Sequence, residues 1–253
     1  MKNKLTDHYD NKYQNDTQKK SLAIINKTKY PQNRYEACIN YFDKNVKKKT
    51  TVLELATGDG LLAKSLLKNQ KNITKYIATD LSNNRLKSVK NNIHDSRLVV
   101  RNLDVENYDF SQTEKVDVVI MLALIEHLVD PIRAINNIKK VLKPNGLIYI
   151  DTPNVAELGN RIKLLRGKFP STASAFQGLI TYEGEKVDLF DEGHLHYFTF
   201  KSLEQMLLKY CGFENVSKHY QMIGRRFLGK PIQNLLAKLW PQAFSSVVLI
   251  AQK

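Results

Sequence analysis

Residues 52–63, with the sequence VLELATGDGLLA, constrain the fold more than any other part of this chain. A short apolar run that carries one acid, Glu54, breaks into a turn with Gly58 and Gly60, and an amphipathic helix follows. The two glycines allow unusual backbone angles and let a ligand approach the main chain closely. The amides that open the helix carry partial positive charge, which suits a carboxylate or a phosphate. This stretch therefore predicts a ligand-binding turn between a buried strand and a helix.

Strands and helices alternate around this turn. The hydrophobic periodicity predicts strands over 51–55, 76–79, 98–103, 116–122 and 147–151, and helices over 35–47, 61–69, 83–92 and 131–142. The last of these helices has Pro131 at its start and Lys-Pro-Asn-Gly as its stop signal. Strands that alternate with helices at this spacing indicate a parallel α/β sheet with helices on both faces.

The alternation stops after residue 153 and resumes near residue 199. The pattern then predicts a helix over 199–209, a strand near 214–222, a helical segment around 232–239 and a last strand over 246–251. Residues 153–192 contain Pro, Gly and Ser together with basic residues, and this segment is too long for a simple connection. We expect one domain over 1–253, with an N-terminal segment, 1–34, and two insertions, 154–192 and 224–244, that form lids over the site.

The glycine turn alone fits two kinds of ligand, since Gly58-x-Gly60-x-x-Ala63 also matches the dinucleotide fingerprint. Three acids separate the two interpretations. Glu54 could receive an ammonium group, Asp80 ends the second strand and could accept both ribose hydroxyls, and Asp104 follows the third strand and could accept from an adenine amine. Each acid alone could equally be a solvated carboxylate at a strand end. An amino acid, a ribose and an adenine in chain order describe S-adenosylmethionine (SAM), which has no pyrophosphate.

With these motifs, residues 50–153 and, more loosely, 195–253 resemble a class I SAM-dependent methyltransferase. The type is the one related to ubiquinone-biosynthesis and glycan O-methyltransferases. The matching segments are VLELATGDG at 52–60, ATDLS at 78–82, NLDV at 102–105, IEHL at 125–128, LKPNGL at 142–147, YCGF at 210–213 and the final residues 246–253. The resemblance implies a seven-stranded Rossmann-like sheet, mostly parallel with an antiparallel last strand.

The resemblance also implies a set of cofactor-binding residues. The expected SAM site consists of Tyr13, Glu54, Ala56, Thr57, Gly58, Gly60, Asp80, Leu81, Asn102, Leu103, Asp104, Val105, Met121, Leu122 and His127. Ala56 stands where the family has its first glycine, a small-for-small change that we expect to leave SAM binding intact. Tyr9 and Tyr13 belong to a polar N-terminal segment that closes over SAM in related enzymes. A mobile tail is the alternative for residues 1–20.

Methyl transfer from a sulfonium is a direct displacement, so the protein mainly aligns the nucleophile with the methyl carbon. A base is needed only if the acceptor must lose a proton. The candidate catalytic residues are Glu126, His127, His194, His196 and Tyr197. Two histidines at positions i and i+2 project the same way in an extended segment, and histidine suits proton removal near neutral pH. Our hypothesis is that His194 or His196 is the base; the alternative is a hydrogen-bonded structural pair.

A metal site is the less favoured hypothesis for the same region. In some relatives it reads Glu-x-x-Glu-His and binds a divalent metal, whereas here Ala123 occupies the first of these positions. We therefore expect no metal as the leading interpretation. A divalent ion held by Glu126, His127 and one of His194 or His196 is the alternative.

Basic residues cluster in the two insertions. The chain has a net charge of +14, and no acid follows Glu214, whereas Lys218, Arg225, Arg226, Lys230, Lys238 and Lys253 are basic. Arg161, Lys163, Arg166 and Lys168 form a second basic cluster after Pro153. A lysine-rich composition could by itself account for the charge, which bears on association rather than on fold. If both clusters lie near the site, they favour an anionic substrate.

The second insertion adds the apolar residues Leu228, Ile232, Leu235, Leu236, Leu239 and Trp240. Basic and apolar residues together suit a small anionic molecule, such as a nucleotide-linked or phosphorylated sugar, or peripheral contact with a lipid surface. The resemblance favours O-methylation in capsular or cell-envelope glycan biosynthesis.

Two other functions stay open. Methylation of RNA or another nucleic acid is the first, although residues 122–125 read LALI where nucleic-acid amino-methyltransferases carry an Asn/Asp-Pro-Pro-aromatic motif. A SAM-binding protein without transferase activity is the second. The polar N-terminus has no signal-peptide core and no apolar run is long enough to cross a bilayer, so we expect a cytoplasmic protein with reduced Cys38 and Cys211.

Overall fold

The computed structural model describes residues 4–13, 22–168, 170, 194–219 and 229–253. Within these residues seven strands form one sheet in the order β3-β2-β1-β4-β5-β7-β6. The strands are β1 (Thr50–Leu55), β2 (Ile73–Asp80), β3 (Leu98–Asn102), β4 (Val116–Leu122), β5 (Leu142–Pro153), β6 (Asn215–His219) and β7 (Ser246–Gln252). The pairs from β3 to β5 are parallel, and β7 runs antiparallel to both of its neighbours. The predicted sheet, mostly parallel with a reversed last strand, is confirmed.

Helices connect and cover these strands. They are α1 (Lys4–Lys12), α2 (Arg34–Asn45), α3 (Leu61–Asn69), α4 (Asn83–Asn92), α5 (Pro131–Lys139), α6 (Leu158–Leu165), α7 (Phe200–Gln205) and α8 (Lys230–Leu239). Short 3-10 turns occupy Phe110–Gln112, Ile125–His127 and Pro241–Ala243, and a π-helix, Met206–Tyr210, continues α7. No helix in the described part of the chain is long and apolar enough to cross a membrane.

The sheet separates two hydrophobic clusters because successive side chains of a strand point to opposite faces. Leu53 of β1 belongs to the cluster that packs against α5 and α7. Its neighbour Val52 belongs to the cluster that packs against α2, α3 and α4. Both faces of the sheet are therefore covered by helices, as predicted.

The structure differs from the sequence prediction around residue 142. The helix predicted over 131–142 ends at Lys139, and the fifth strand begins at Leu142 rather than at residue 147. Leu142 pairs with Val116, and the register then shifts so that Leu147 pairs with Val118. The Lys-Pro-Asn-Gly segment is thus an irregularity at the start of β5, with Asn145 at a φ of 60°. Val141 and Leu142 continue the helical spacing of α5, which is why periodicity alone assigned them to the helix.

Two other segments also differ from the predicted elements. Residues 4–12 form a helix, for which the sequence analysis gave no prediction. The helix predicted over 199–209 changes to π-helical geometry after Gln205. Residues 220–222 of the predicted strand 214–222, and large parts of both predicted lid insertions, lie outside the described residues.

Candidate active site

A cavity of about 540 Å³ opens at the carboxyl ends of the parallel strands. Asp80 is the last residue of β2, Leu122 the last of β4 and Pro153 the last of β5, and all three line it. β1 lies between β2 and β4. The chain adds β2 and β3 on one side of β1 and then crosses over to add β4 on the other side. Such a switch point is the usual place for a ligand in an open α/β sheet, and this volume is in the range of small-molecule sites.

Most residues predicted for the SAM site line this cavity. They are Tyr13, Glu54, Ala56, Thr57, Gly58, Asp80, Leu81, Leu103, Asp104, Val105, Leu122 and His127. Tyr9 lines it as well. The parallel register of β1, β2 and β3 carries the ends of these strands to one edge of the sheet, so residues far apart in the chain meet there.

Three of the predicted cofactor residues lie elsewhere. Met121 is fully buried in the core cluster under α5, because it faces the opposite side of β4 from its neighbour Ile120. Asn102 donates its side-chain amide to the carbonyl oxygen of Leu81 (2.7 Å). Gly60 caps α3 at a φ of 85°, and a Cβ there would lie 3.0 Å from Val89. These residues support the site rather than line it.

The glycine turn has left-handed backbone at three positions, with φ angles of 55° at Ala56, 60° at Gly58 and 85° at Gly60. Ala56 is the residue that replaces the family's first glycine. This left-handed conformation explains why the family has a glycine at this position, because a residue with a Cβ adopts it at a cost of roughly 1–2 kcal/mol. The turn closes through the amide of Thr57, which donates to the carbonyl oxygen of Thr79 (2.8 Å).

Asp80 ties the turn to the end of β2. Its Oδ2 accepts from the amide of Gly58 (2.9 Å), and its Oδ1 accepts from the amide of Ser82 (2.9 Å). A carboxylate offers about four acceptor positions, so each oxygen of Asp80 can accept one further hydrogen bond. The side chain is buried yet lines the cavity. Its geometry suits a ligand with two adjacent hydroxyl groups.

Glu54 is a buried acid on β1 that lines the same cavity. Its Oε2 accepts hydrogen bonds from the Thr57 hydroxyl (2.5 Å) and the Tyr76 hydroxyl (2.8 Å). Burial raises the pKa of Glu54 to about 7, although these two hydrogen bonds favour the carboxylate. A cationic group in the cavity would therefore find a partner that is partly protonated at neutral pH.

This pKa makes stability depend on pH. The folded state binds more protons than the unfolded state between pH 4.5 and about 7, so stability falls as pH rises through this window. We expect Glu54 to contribute a loss of about 3 kcal/mol, at about 1.4 kcal/mol per pKa unit. Glu126 also makes the free energy of unfolding fall as pH rises through this window, since burial raises its pKa to about 7. Glu54→Gln should remove about half of the decline, measured by urea unfolding at pH 5 and pH 8.

The matched control for this measurement is Glu214→Gln, which changes an exposed carboxylate outside the cavity. This variant should follow the pH dependence of the unsubstituted protein. An unchanged decline in Glu54→Gln would contradict the assignment to Glu54.

Two arginines that the sequence prediction missed also line the cavity. Arg34 opens α2, and its Nε lies 3.3 Å from Oδ1 of the fully buried Asp151 on β5. Arg85 on α4 lies over the ring of Tyr13, at 3.6 Å from its centre. Asp151, like Glu54, is an acid in an apolar run, and this position was the one sign in the sequence that it lies close to the site. Nothing in the sequence pairs it with Arg34.

The N-terminal helix is held beside the cavity by Asp10. Its Oδ1 accepts from the hydroxyl of Ser82 (2.9 Å) and from the amide of Asn84 (3.2 Å), both at the start of α4. The rings of Tyr9 and Tyr13 are stacked, with centres 6.2 Å apart. Because both tyrosines line the cavity, α1 covers part of it in this structure.

The candidate catalytic residues divide into two groups. Glu126, His127 and His194 line the cavity, and the rings of the two histidines meet edge to face with centres 4.9 Å apart. His196 and Tyr197 do not line it, and His196 Nε2 lies 3.3 Å from the carbonyl oxygen of Val129. The structure therefore distinguishes the two histidines that the sequence left equivalent, with His194 in contact with the cavity.

Backbone hydrogen bonds hold the segment with His194 against the turn with Glu126. The amides of Leu195 and His196 both donate to the carbonyl oxygen of Glu126 (2.8 and 3.1 Å). The carboxylate of Glu126 is buried, and its Oε2 accepts from the hydroxyl of Thr152 (2.9 Å). Its Oε1 has no hydrogen-bond partner in the described residues. A buried acceptor of this kind is costly unless a proton or a ligand satisfies it.

The same residues fit a divalent metal. One ligand atom each from Glu126, His127 and His194 lies within 4.8 Å of the other two. Two imidazoles and one carboxylate form a set that catalytic zinc sites use, with the fourth position open. These residues would hold the ion, and the ion would polarise an acceptor oxygen. His194 would replace the first glutamate ligand of the Glu-x-x-Glu-His pattern, a position that Ala123 occupies in this chain.

Acidic side chains dominate the cavity wall. The carboxylates that line it are Glu54, Asp59, Asp80, Asp104, Glu106 and Glu126, against the cations Arg34 and Arg85. The described basic residues of the insertions, among them Arg161 and Lys163, do not line it. The wall therefore suits a cationic ligand. Of the two basic clusters that suggested an anionic substrate, the described residues lie outside the cavity, and Arg225 and Arg226 lie outside the described part of the chain.

Comparison with protein-family models matches residues 28–218 to the family described as "Methyltransferase domain". Curated relatives include ubiquinone biosynthesis O-methyltransferases from Actinobacillus pleuropneumoniae serotype 7, 29% identical over 109 residues, and from Pasteurella multocida, 30% identical over 114 residues. The first match covers 41% of this chain and 45% of the relative, and the second 41% and 46%. The chain thus spans less than half of the length of these relatives.

Solved structures with the same fold include two described as SAM-dependent methyltransferases. The one from Mesorhizobium loti has a TM-score of 0.56 at 14% identity, with 86% of this chain and 98% of that chain covered. The one from Archaeoglobus fulgidus has a TM-score of 0.53 at 18% identity, with 87% and 91% covered. At these identities the likeness concerns the fold.

Proposed function

This chain belongs to the methyltransferase domain family, and we propose that it transfers a methyl group from SAM to an oxygen of a small acceptor. The observation that carries this proposal is the acid-lined cavity at the carboxyl ends of the strands. Acids near the ends of three adjacent parallel strands, Glu54, Asp80 and Asp104, line it together. SAM carries a sulfonium and an ammonium against one carboxylate, so its net positive charge matches this wall.

Each part of SAM has a partner in the proposed complex. Glu54 binds the ammonium group, and Arg34 faces the carboxylate group. Asp80 uses the two acceptor positions left after its bonds to Gly58 and Ser82 to bind the ribose hydroxyls. Asp104 accepts from the adenine amine, with Leu103 and Val105 against the ring. Tyr9 of α1 and Tyr13, which follows this helix, cover the cofactor.

Transfer follows from alignment. When bound, SAM would supply its methyl group to the acceptor oxygen and would leave as the neutral sulfide S-adenosylhomocysteine, whose sulfur keeps the electron pair of the broken bond to the methyl carbon. The hydroxyl proton passes to His194, which contacts the cavity beside His127. His127 and Glu126 position this imidazole. Proton removal by a placed base contributes typically 10²–10⁴-fold to a rate.

We propose an anionic or glycan-linked acceptor, as in capsular or cell-envelope glycan synthesis. The basic residues Arg161 and Lys163 on α6 support this class, because α6 follows Pro153, which lines the cavity. In this proposal the reacting hydroxyl enters the cavity and the anionic part of the acceptor stays outside it. The curated relatives are O-methyltransferases, which favours oxygen over nitrogen.

Isothermal titration calorimetry with SAM and with S-adenosylhomocysteine tests the cofactor. We expect both to bind with one site per chain, and no binding of either at millimolar concentration would refute the proposal. A release assay for S-adenosylhomocysteine then tests the acceptor, with nucleotide sugars, capsular glycan intermediates and RNA compared side by side. Turnover with a sugar acceptor supports the proposed class. Turnover with RNA alone contradicts it, and binding without turnover on any acceptor indicates a SAM-binding protein.

A further inference from the structure

Helix α8 presents its apolar side to solvent. Ile232, Leu235, Leu236 and Leu239 are all exposed, and their spacing places them on one stripe of the helix. The residues of α8 that are buried are Gln233 and Ala237. A surface helix of a globular protein normally buries such a stripe and exposes its amides. Helix α8 is therefore oriented the opposite way.

Helix α6 shows the same reversal. Its buried residue is Asn160, whereas Ile162, Leu164 and Leu165 are exposed, Leu165 to 88%. The side chain of Lys163 donates to Oδ1 of Asn160 (3.1 Å), so the amide turned inward has a partner. Two helices far apart in the chain thus expose aliphatic side chains and bury amides.

These helices form one continuous surface, which we call the α6–α8 surface. The guanidinium of Arg161 lies over the ring of Trp240, at 5.6 Å from its centre. Leu158 of α6 packs against the small buried cluster that contains Ala237 of α8. The two helices therefore adjoin each other through Leu158 and Arg161, and each exposes aliphatic side chains of its own.

The charged side chains of α6, of α8 and of the residues that follow them are all basic, and the acid that adjoins them is Glu157, the N-cap residue of α6. Its basic residues are Arg161, Lys163, Arg166, Lys168, Lys230 and Lys238, and residues 158–168 and 229–253 contain no acid. Trp240 is partly exposed at the end of α8. Exposed aliphatic side chains, flanking cations and a tryptophan at the boundary are the composition of helices that lie in a membrane interface.

We propose that the α6–α8 surface docks on the headgroup region of an anionic lipid bilayer. The aliphatic side chains enter the acyl boundary, and the cations that the proposed acceptor does not use, among them Lys230 and Lys238, contact lipid phosphates. A second copy of this chain would place cations against cations on a two-fold axis. Nucleic acid would satisfy the cations but would leave the leucine stripe exposed, since phosphates and bases offer it little. A bilayer satisfies both.

The test is sedimentation of the full chain with vesicles of phosphatidylcholine, with and without 30% phosphatidylglycerol. We expect binding to the anionic vesicles, weakened at least tenfold by a rise from 0.1 to 0.5 M salt, since salt screens the cations. Leu236→Glu should weaken this binding at least tenfold. Leu208→Glu is the matched control, because Leu208 has the same 39% exposure but lies on the π-helix after α7.

Two double variants test the contribution of the cations. Lys230→Ala with Lys238→Ala should weaken binding, whereas Lys87→Ala with Lys90→Ala, two exposed lysines on α4, should not. Equal losses in Leu236→Glu and Leu208→Glu, or no binding by the unsubstituted chain, would overturn the proposal. So would a dimer by light scattering that Leu236→Glu converts to a monomer, because the surface would then join two copies. Unchanged SAM titrations of Leu236→Glu would show that the cavity is intact.

Discussion

Asp80→Asn should weaken SAM binding by at least about 100-fold. The substitution removes a charge that receives two ribose hydroxyls in the proposed complex, and each hydrogen bond to a charged group is worth about 1.5–3 kcal/mol. It also places an amide hydrogen opposite the amide of Gly58 or of Ser82, which now donate to the carboxylate. Calorimetry with SAM measures the loss directly.

Asp117→Asn is the matched control for this prediction. Asp117 also accepts a backbone amide from a neighbouring strand, that of Thr51 (2.7 Å), but it lies near the amino end of β4 and does not line the cavity. This variant should lose stability and keep its SAM affinity. If Asp80→Asn binds SAM within a few-fold of the unsubstituted protein, Asp80 does not hold the ribose.

His194→Ala should lower kcat by about 10²–10⁴-fold and leave the affinity for SAM unchanged, because a positioned base acts only in the transfer step. The measurement is turnover at saturating SAM with the acceptor found by the release assay.

His196→Ala provides the control, since this neighbouring histidine does not line the cavity. Its kcat should stay within a few-fold, as should that of the unsubstituted protein after dialysis against a chelator. Equal losses of kcat in the two variants would show that both histidines have a structural role rather than that of a base. A chelator-sensitive kcat would instead favour the ion held by Glu126, His127 and His194.

The sequence predicted the fold well where local and distant constraints agree. Residues 83–92 carry a helical pattern between a capping serine and a β-branched C-cap, and α4 has these same bounds. Leu142 is the opposite case, because its spacing continues α5 while its pairing with Val116 makes it a strand residue. Pairing across a sheet is invisible to periodicity.

The candidate site shows the same division. Glu54, Asp80 and Asp104 were predictable because acids near strand ends converge at one edge of a parallel sheet. Arg34 was not, since its place in the cavity depends on how α2 packs over the buried Asp151. The difference between His194 and His196 depends on the two amides that dock their segment on the carbonyl oxygen of Glu126. No residue pattern encodes that contact.

The raised pKa of Glu54 has a thermodynamic consequence for the proposed cofactor. Near pH 7 this side chain is present both as the carboxylic acid and as the carboxylate, because burial raises its pKa to about 7. An ammonium group that binds to it needs the carboxylate, so SAM would displace a proton. The ammonium group of SAM then replaces a proton at the carboxylate of Glu54. The measured heat of binding should therefore vary with the ionisation enthalpy of the buffer, and the affinity should rise with pH through neutrality.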